Sequence, residues 1–552
     1  MKYNLEESRR IHKQQIAWPR VSKIFDRLLR IGALGLVAGM PIFAQNRANV
    51  SIDLSKAVNV LTETSLGVPA PTFDAKSFNL AGIPYLRAAG ITVARFPGNH
   101  GVADLYHWST RTTTKYKGAE AGYFAPEGNF SNFAQFAEKL GQALIVVNYG
   151  ANLDGAGGGE PAEAAAWVAY ANGDPGDSRP LGKDSTGEDW HSIGFWATLR
   201  GQEPLSAEDG LNFLRIHHPN PFGFKLWQVG DELYNNGYYG SDHTGNPDMH
   251  GAAPAGPKDF AKLKNDPKLS PSAYGENLKS FVSAMKAVDP TIEIGAGLTT
   301  PPDGEKAAPD WNRNVLKTAC PSLDFVSLEW TPGPVLPPDW KTLDEANLLT
   351  GTTSSFATII TTLLDESKKY CPKDHVPRLA FSTAGIASWP KVDHPVVSAL
   401  WVADTYALLI ESGTLTMDWS EMYGSSMLSE DRKQFGPAYY GLQMLHIMAH
   451  SPGDFLLDAA SSSSQVSVHA ARRRDGFIGV MVVNKDPKND AAVKITFKNG
   501  SVGVAGKRFD YGSVQFDSGA AVAASPFTGG ANEFSIRVPP YTVTDILLPG
   551  HN

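Results

Sequence analysis

Two adjacent carboxylates, Asp231 and Glu232, stand at the end of an apolar run, FKLWQVGDELY at residues 224–234. Phe224, Leu226, Trp227 and Val229 give the run the character of a strand. Asn235, Asn236, Tyr238 and Tyr239 follow at once as a polar, aromatic loop. An acid delivered by a strand to such a loop can protonate a departing oxygen, while the rings beside it stack on a flat ligand face. The same Asp-Glu pair also suits the first turn of a helix, where carboxylates meet unpaired N–H groups. A second acid, Glu329 in SLEWT at 327–331, ends another apolar run and is a candidate partner for the first.

The elements that must position these groups alternate along the middle of the chain. Apolar runs with polar ends recur at ITVARFPG (91–98), ALIVVNYG (143–150), 224–232, IEIGAG (292–297), DFVSLEW (324–330), LAFSTAG (379–385) and LTMDWSE (415–421). Between them lie stretches with helical apolar spacing, at 130–140, 160–172, 274–288 and 356–370. About eight strand–helix units predict a (β/α)₈ TIM barrel rather than the competing doubly wound sheet, because no nucleotide-binding glycine fingerprint is present. Residues 173–204 and 241–271, rich in Gly, Pro and Asp, read as long surface loops. After residue 455 short alternating strands replace the helices, which predicts a C-terminal antiparallel β-sandwich; the VSIDLS segment at 50–55 is a candidate further strand for it.

The flanks complete this organisation. Residues 31–43 (IGALGLVAGMPIF) follow a basic segment and end at Ala44-Gln45, the pattern of a secretory signal. The run is too short to span a bilayer comfortably, so no stable membrane insertion is expected after processing; the long basic segment before it leaves an uncleaved anchor or a misplaced start codon as the alternatives. The expected layout is a signal over 1–45, a segment over 46–79 lending the sandwich a strand, the barrel over 80–454 and the sandwich over 455–552. The localisation would be periplasmic or extracellular. A formal charge of −8 over 552 residues argues against a nucleic-acid partner, which wants a basic face. No cluster has metal-ligand spacing, and no metal or organic cofactor is implied. The two cysteines, Cys320 and Cys371, either form one disulfide or remain buried thiols.

With these segments in hand, the chain resembles the α-L-arabinofuranosidase-like glycoside hydrolases of the retaining barrel clan, in their exported bacterial branch. The likeness rests on RFPG (95–98), DLYHW (104–108), VVNYG (146–150), AAWVAYAN (165–172), WQVGDELY (227–234) and NGYYG (236–240), and it extends over roughly residues 50–548. It implies a carbohydrate ligand bearing arabinofuranose, Glu232 as the acid/base at the fourth strand, and a second carboxylate about 5–5.5 Å away as nucleophile. It also implies sugar contacts from Arg95 at the first strand end, Asn99, His107, Trp108, Asn148, Tyr149, Trp330 and Tyr423. Each of these has a plainer reading as a core residue or a structural ion pair.

Three positions depart from the family. Asp231 stands where the family has Asn, so it accepts but cannot donate a hydrogen bond, and it adds charge beside Glu232. Thr383 in STAG (382–385) occupies the nucleophile position, and no Glu lies within ten residues of it. Glu329-Trp330 replaces a His-Trp-Tyr-like sixth-strand tip. Three readings follow. Glu232 and Glu329 form a relocated pair that still hydrolyses glycosides, with inversion if water fits between them. Alternatively the site binds sugar without cutting it, or the barrel is only a scaffold. Glu421 is a further candidate carboxylate, with a structural acceptor as its plainer role.

Overall fold

The computed structural model describes residues 46–550 apart from 71, 74–77, 99–101, 115–124, 241–245, 247, 252–260, 332–343, 386–392 and 430. The secretory signal expected over 1–45 and Asn99 therefore lie outside the described residues. Eight parallel strands close into a barrel: Leu66–Pro69, Val93–Phe96, Gln142–Val147, Leu226–Val229, Glu293–Gly297, Phe325–Trp330, Arg378–Ala384 and Met417–Trp419. These short runs are apolar almost throughout because helices cover one face and the barrel's own interior the other. The barrel begins before residue 80, since LGVP is its first strand. Arg95 accordingly sits on the second strand, not the first.

Inside the barrel, Val93, Leu144, Leu226, Phe325, Ala380 and Leu415 form a small apolar cluster of their own. Gly295 on the fifth strand makes room for it: a Cβ there would meet the Phe325 ring at 2.2 Å. The helices outside are started by side-chain caps. Asn129 accepts from the Asn132 N–H ahead of Phe130–Leu140, and Ser270 from Ala273 ahead of Pro271–Val288. Residues 173–204 are not all loop. Ser192 caps a helix, Ile193–Gly201, whose Trp196 is buried and donates to the Trp190 carbonyl. Cys320 and Cys371 are joined as a disulfide that ties the end of Trp311–Ala319 to the end of Glu345–Tyr370.

The C-terminal strands form one nine-stranded sheet. From one edge to the other it runs Ala524–Thr528, Ala505–Gly512, Thr542–Pro549, Phe477–Asn484, Val466–Arg472, Phe455–Ser461, Asn46–Val60, Ala491–Lys498 and Glu533–Val538. The inward residues of strands far apart in that order, such as Val50, Val480, Ile536 and Ile546, share one core, so the sheet curls over itself. Asn46–Val60 pairs in parallel with Ala491–Lys498, whereas the sheet's other pairings among the described residues are antiparallel.

A buried charge cluster fastens the sheet to the barrel. Asp404 and Glu411, on helix Val397–Glu411, take His469 at 3.0 and 2.9 Å, and Lys485 reaches Asp404 at 2.7 Å. Burial alone would lower the His469 pKa, but Glu411 and Asp404 more than reverse this and raise it to about 9. Its contribution to stability is therefore present in full below about pH 6.5 and lost as pH rises through about 9. Replacing His469 by Leu leaves Glu411 without that partner and is expected to cost about 3–5 kcal/mol. Thermal unfolding across pH 6–10 checks both statements: the wild-type midpoint should fall toward the variant's as His469 deprotonates.

Candidate active site

The fourth strand ends at Val229, and the chain then turns sharply through Gly230 (φ 72°) and Glu232 (φ 37°). Glycine adopts the first conformation freely. At Glu232 the left-handed backbone costs about 1–2 kcal/mol, a strain that gathers where side-chain aim matters. The turn sends the two acids to different places. Asp231 is buried at 1% exposure, whereas Glu232 is partly exposed.

Asp231 is held from several sides. Its Oδ1 takes Arg95 Nη2 at 2.5 Å and Gln228 Nε2 at 3.2 Å. Its backbone N–H donates to Asp104 at 3.0 Å, and its carbonyl accepts from Asn246 at 2.7 Å. Arg95 is as deeply buried. Burial would weaken its hold on its proton, but Asp231, then Glu329 and Asp418, overcome this and raise its pKa. The buried Asp231 carboxylate is thus matched by the Arg95 guanidinium. Replacing Arg95 by Met would strand Asp231 and is expected to destabilise the fold by about 3–5 kcal/mol, as read by denaturant unfolding.

The second carboxylate depends on a β-bulge. Along the sixth and seventh strands, Ala380 pairs with Ser327 and Phe381 with Leu328, but Thr383 then pairs with Glu329. Ser382 is the extra residue. Since strand side chains alternate, Glu329 faces the interior with Ser327 and Phe325. Without the bulge, Thr383 would point away from it. With the bulge, the two share one face at one height, one strand apart. Thr383 uses its hydroxyl locally, donating to the Ser382 carbonyl at 2.9 Å.

Tyr234 bonds the first acid and feels the charge of the second. Its hydroxyl donates to Glu232 Oε1 at 2.6 Å. Burial, followed by the charges of Glu232 and Glu329, lifts its pKa well above the usual phenol range, so it stays a donor. Burial and the neighbouring Asp231 push Asp104 well above the usual carboxylate range. Asp418, fully buried on the eighth strand, is raised by burial to about 7 despite the opposing pull of Arg95. The constellation is one guanidinium, one phenol and carboxyls from four different segments, converging at the C-terminal end of the barrel. Such a set can hold one carboxyl protonated and its partner ionised.

Other expected contacts lie elsewhere. Trp330 follows Glu329 and so faces outward, packed among Phe356, Phe381 and Trp401. Trp108 is fully buried against Trp167, Tyr170 and Trp196. His107 is buried too, with Nδ1 on Glu163 at 3.0 Å and Nε2 on Thr114 at 2.6 Å. Asn148 spends its amide on the turn it caps, accepting from the Ala151 N–H at 3.1 Å and donating to the Ala151 carbonyl at 2.8 Å. The Tyr149 hydroxyl accepts from Asn277 at 2.9 Å. All five are buried within the site's frame. Tyr423 is half-buried near Gly82, and Glu421 accepts from the Ser426 N–H at 3.1 Å as a turn acceptor. Asp104, Gln228, Tyr234 and Asp418 are the members that sequence reasoning passed over. Gln228 and Asp418 were recoverable in principle from inward alternation along their strands, once the register was known. Among the described residues no group of three or more His, Cys, Asp or Glu side chains is arranged to hold a metal ion.

The architecture is that of known glycoside hydrolases. The chain superposes on an α-L-arabinofuranosidase from Thermotoga maritima in complex with arabinose, with a TM-score of 0.62, 16% identity, and coverage of 91% of this chain and 100% of that one. A family 51 α-L-arabinofuranosidase from Bifidobacterium longum gives 0.62 at 15% identity, covering 92% and 100%. A family 44 xyloglucanase from Paenibacillus polymyxa gives 0.58 at 13% identity, covering 92% and 100%. No protein-family model and no curated protein sequence matches the chain. The chain has the arabinofuranosidase-like glycoside hydrolase fold, a TIM barrel with a C-terminal β-rich domain.

Proposed function

We propose that this protein is an exported glycoside hydrolase acting on plant polysaccharide or oligosaccharide that bears α-L-arabinofuranosyl groups. Glu232 is its proton donor, and Glu329 its second carboxylate. The observation that carries the reading is the pairing of Glu329 with Thr383 across a bulge. It supplies an inward carboxylate one strand from the position the family uses. Tyr234 on Glu232 and the charge of Arg95 felt by Glu329 support different surroundings for the two acids, which is what separates an acid from a base in one site. The sugar assignment draws on the arabinofuranosidases that share the fold, one of them named as an arabinose complex.

The competing reading is a homologue that binds sugar without cutting it, and Thr383 is the observation in its favour. Turnover separates the two, affinity does not. Purified protein is to be assayed on aryl arabinofuranoside, xyloside and glucoside, on arabinan and on xyloglucan, beside calorimetric titration with arabino-oligosaccharides. Release from arabinofuranosyl substrates in preference to the others supports the proposal. Binding without release would leave a lectin-like protein on an enzyme scaffold. Release from xyloglucan alone would overturn the sugar assignment while keeping the chemistry.

A further inference from the structure

The barrel interior beneath the site carries a layer of unusual composition. Inward positions from alternate strands of such a barrel stack in layers of four, normally of bulky aliphatic residues. Here the even-numbered strands contribute Arg95, Gln228, Ser327 and Asp418, all at 2% exposure or less. Each of the four leaves a buried polar atom without a hydrogen-bond partner among the described residues: Arg95 Nε, Gln228 Oε1, Ser327 Oγ and Asp418 Oδ2. Asp231 Oδ2, just above, is unpartnered in the same sense. Buried polar atoms are ordinarily satisfied, so several in one layer mark an arrangement kept for something other than packing.

Asp418 is the ionisable member whose place the chain has cleared. Gly67 on the first strand is its neighbour in register, and a Cβ there would lie 2.0 Å from Asp418 Oδ1. Among the described residues only Thr416 bonds the carboxyl, donating to Oδ1 at 3.0 Å. The charged or titratable groups that sense it are Arg95 from the second strand and the Tyr406 hydroxyl from helix Val397–Glu411. Arg95 in turn feels Asp231, Glu329 and Asp418.

We propose that Asp418 is a positioning residue acting through Arg95, dividing the guanidinium's charge between itself and the site carboxylates Asp231 and Glu329. Its effect on rate rests on the glycosidase reading above; its effect on the fold does not. While Asp418 holds its proton, Arg95 serves the upper carboxylates alone. When Asp418 ionises, negative charge enters below the site, and the nearby acids hold their protons to higher pH.

The test pairs pH–rate profiles with pH–stability profiles for wild type and Asp418→Asn, from pH 4.5 to 9. The expected loss of kcat/KM in the variant grows with pH, from slight near pH 5 to about tenfold near pH 8, because the basic limb moves down by about one unit. In wild type, a carboxyl titrating near 7 when folded contributes stability that is present in full below about pH 4 and lost as pH rises toward 7. The variant's unfolding midpoint should therefore gain on wild type across that interval. Thr416→Val removes the hydroxyl that donates to the carboxyl and should extend the stability loss to higher pH than in wild type, its onset unchanged. It also serves if the Asn variant does not fold. A pH-independent loss of rate together with a pH-independent difference in midpoint would reduce Asp418 to a packing residue and overturn the proposal. If no variant and no wild type turns over substrate, the glycosidase reading has failed, and the midpoints alone decide the titration of Asp418.

Discussion

Replacing Glu232 by Gln should lower kcat/KM on arabinan by about 10³–10⁴-fold, while aryl arabinofuranosides with strongly acidic phenols lose far less. Protonation in the transition state is worth about 10²–10⁴ when positioned, and it matters only when the leaving oxygen needs a proton. The amide keeps the shape of the side chain and an oxygen able to accept the Tyr234 hydroxyl, now 2.6 Å from Glu232 Oε1. The turn at φ 37° makes the same demand of either side chain, so the loss reports chemistry rather than folding. A series of aryl substrates spanning several units of phenol pKa measures it. The wild type should depend weakly on leaving-group acidity and the variant steeply. A uniform loss across the series would remove Glu232 from the role of proton donor.

Glu329 should behave differently. Its replacement by Gln is expected to cost about 10³-fold or more on every substrate, activated or not. A carboxylate that attacks the anomeric carbon, or activates water against it, is needed whatever the leaving group. The reason for assigning it this work is positional. Glu329 and Thr383 are paired in register, and the Ser382 bulge turns both to one face. Thr383 cannot substitute, because a hydroxyl is a weak nucleophile without an adjacent base, and this one is bonded to the Ser382 carbonyl. Glu329 stands two strands from Glu232 around the barrel. Arg95, which senses Glu329 and Asp231 together, supplies the cation that keeps an ionised acid tolerable there.

Much of the barrel was legible because its strands are apolar runs with polar ends and its helices have amphipathic spacing. The first strand was not. Four residues, LGVP, with a proline at the end, look like a turn, and missing them shifted Arg95 from second strand to first. The two acids were visible as strand-tip carboxylates. Their surroundings were not, because these depend on which side of a strand each residue faces. Trp330 looked like a sugar platform from its neighbours, yet a period of two sends it outward as surely as it sends Glu329 in. Trp108 and Tyr149 lay in polar contexts but are consumed by aromatic packing. Glu421, two residues beyond the eighth strand, stands out in the sequence, whereas Asp418 does not, because a carboxyl inside a barrel has no signature until the register is known. The bulge at Ser382 likewise leaves no trace in composition.

The proposed role of Glu329 as the second carboxylate is tested most directly by moving the carboxylate to Thr383 on the seventh strand. kcat/KM for an activated aryl arabinofuranoside is to be compared among wild type, Glu329→Gln and the double variant Glu329→Gln/Thr383→Glu. Near-complete loss in the single variant and recovery by about tenfold or more in the double is the predicted result, since the new acid returns to the same inward face one strand over. Wild-type turnover retained in Glu329→Gln would contradict the account.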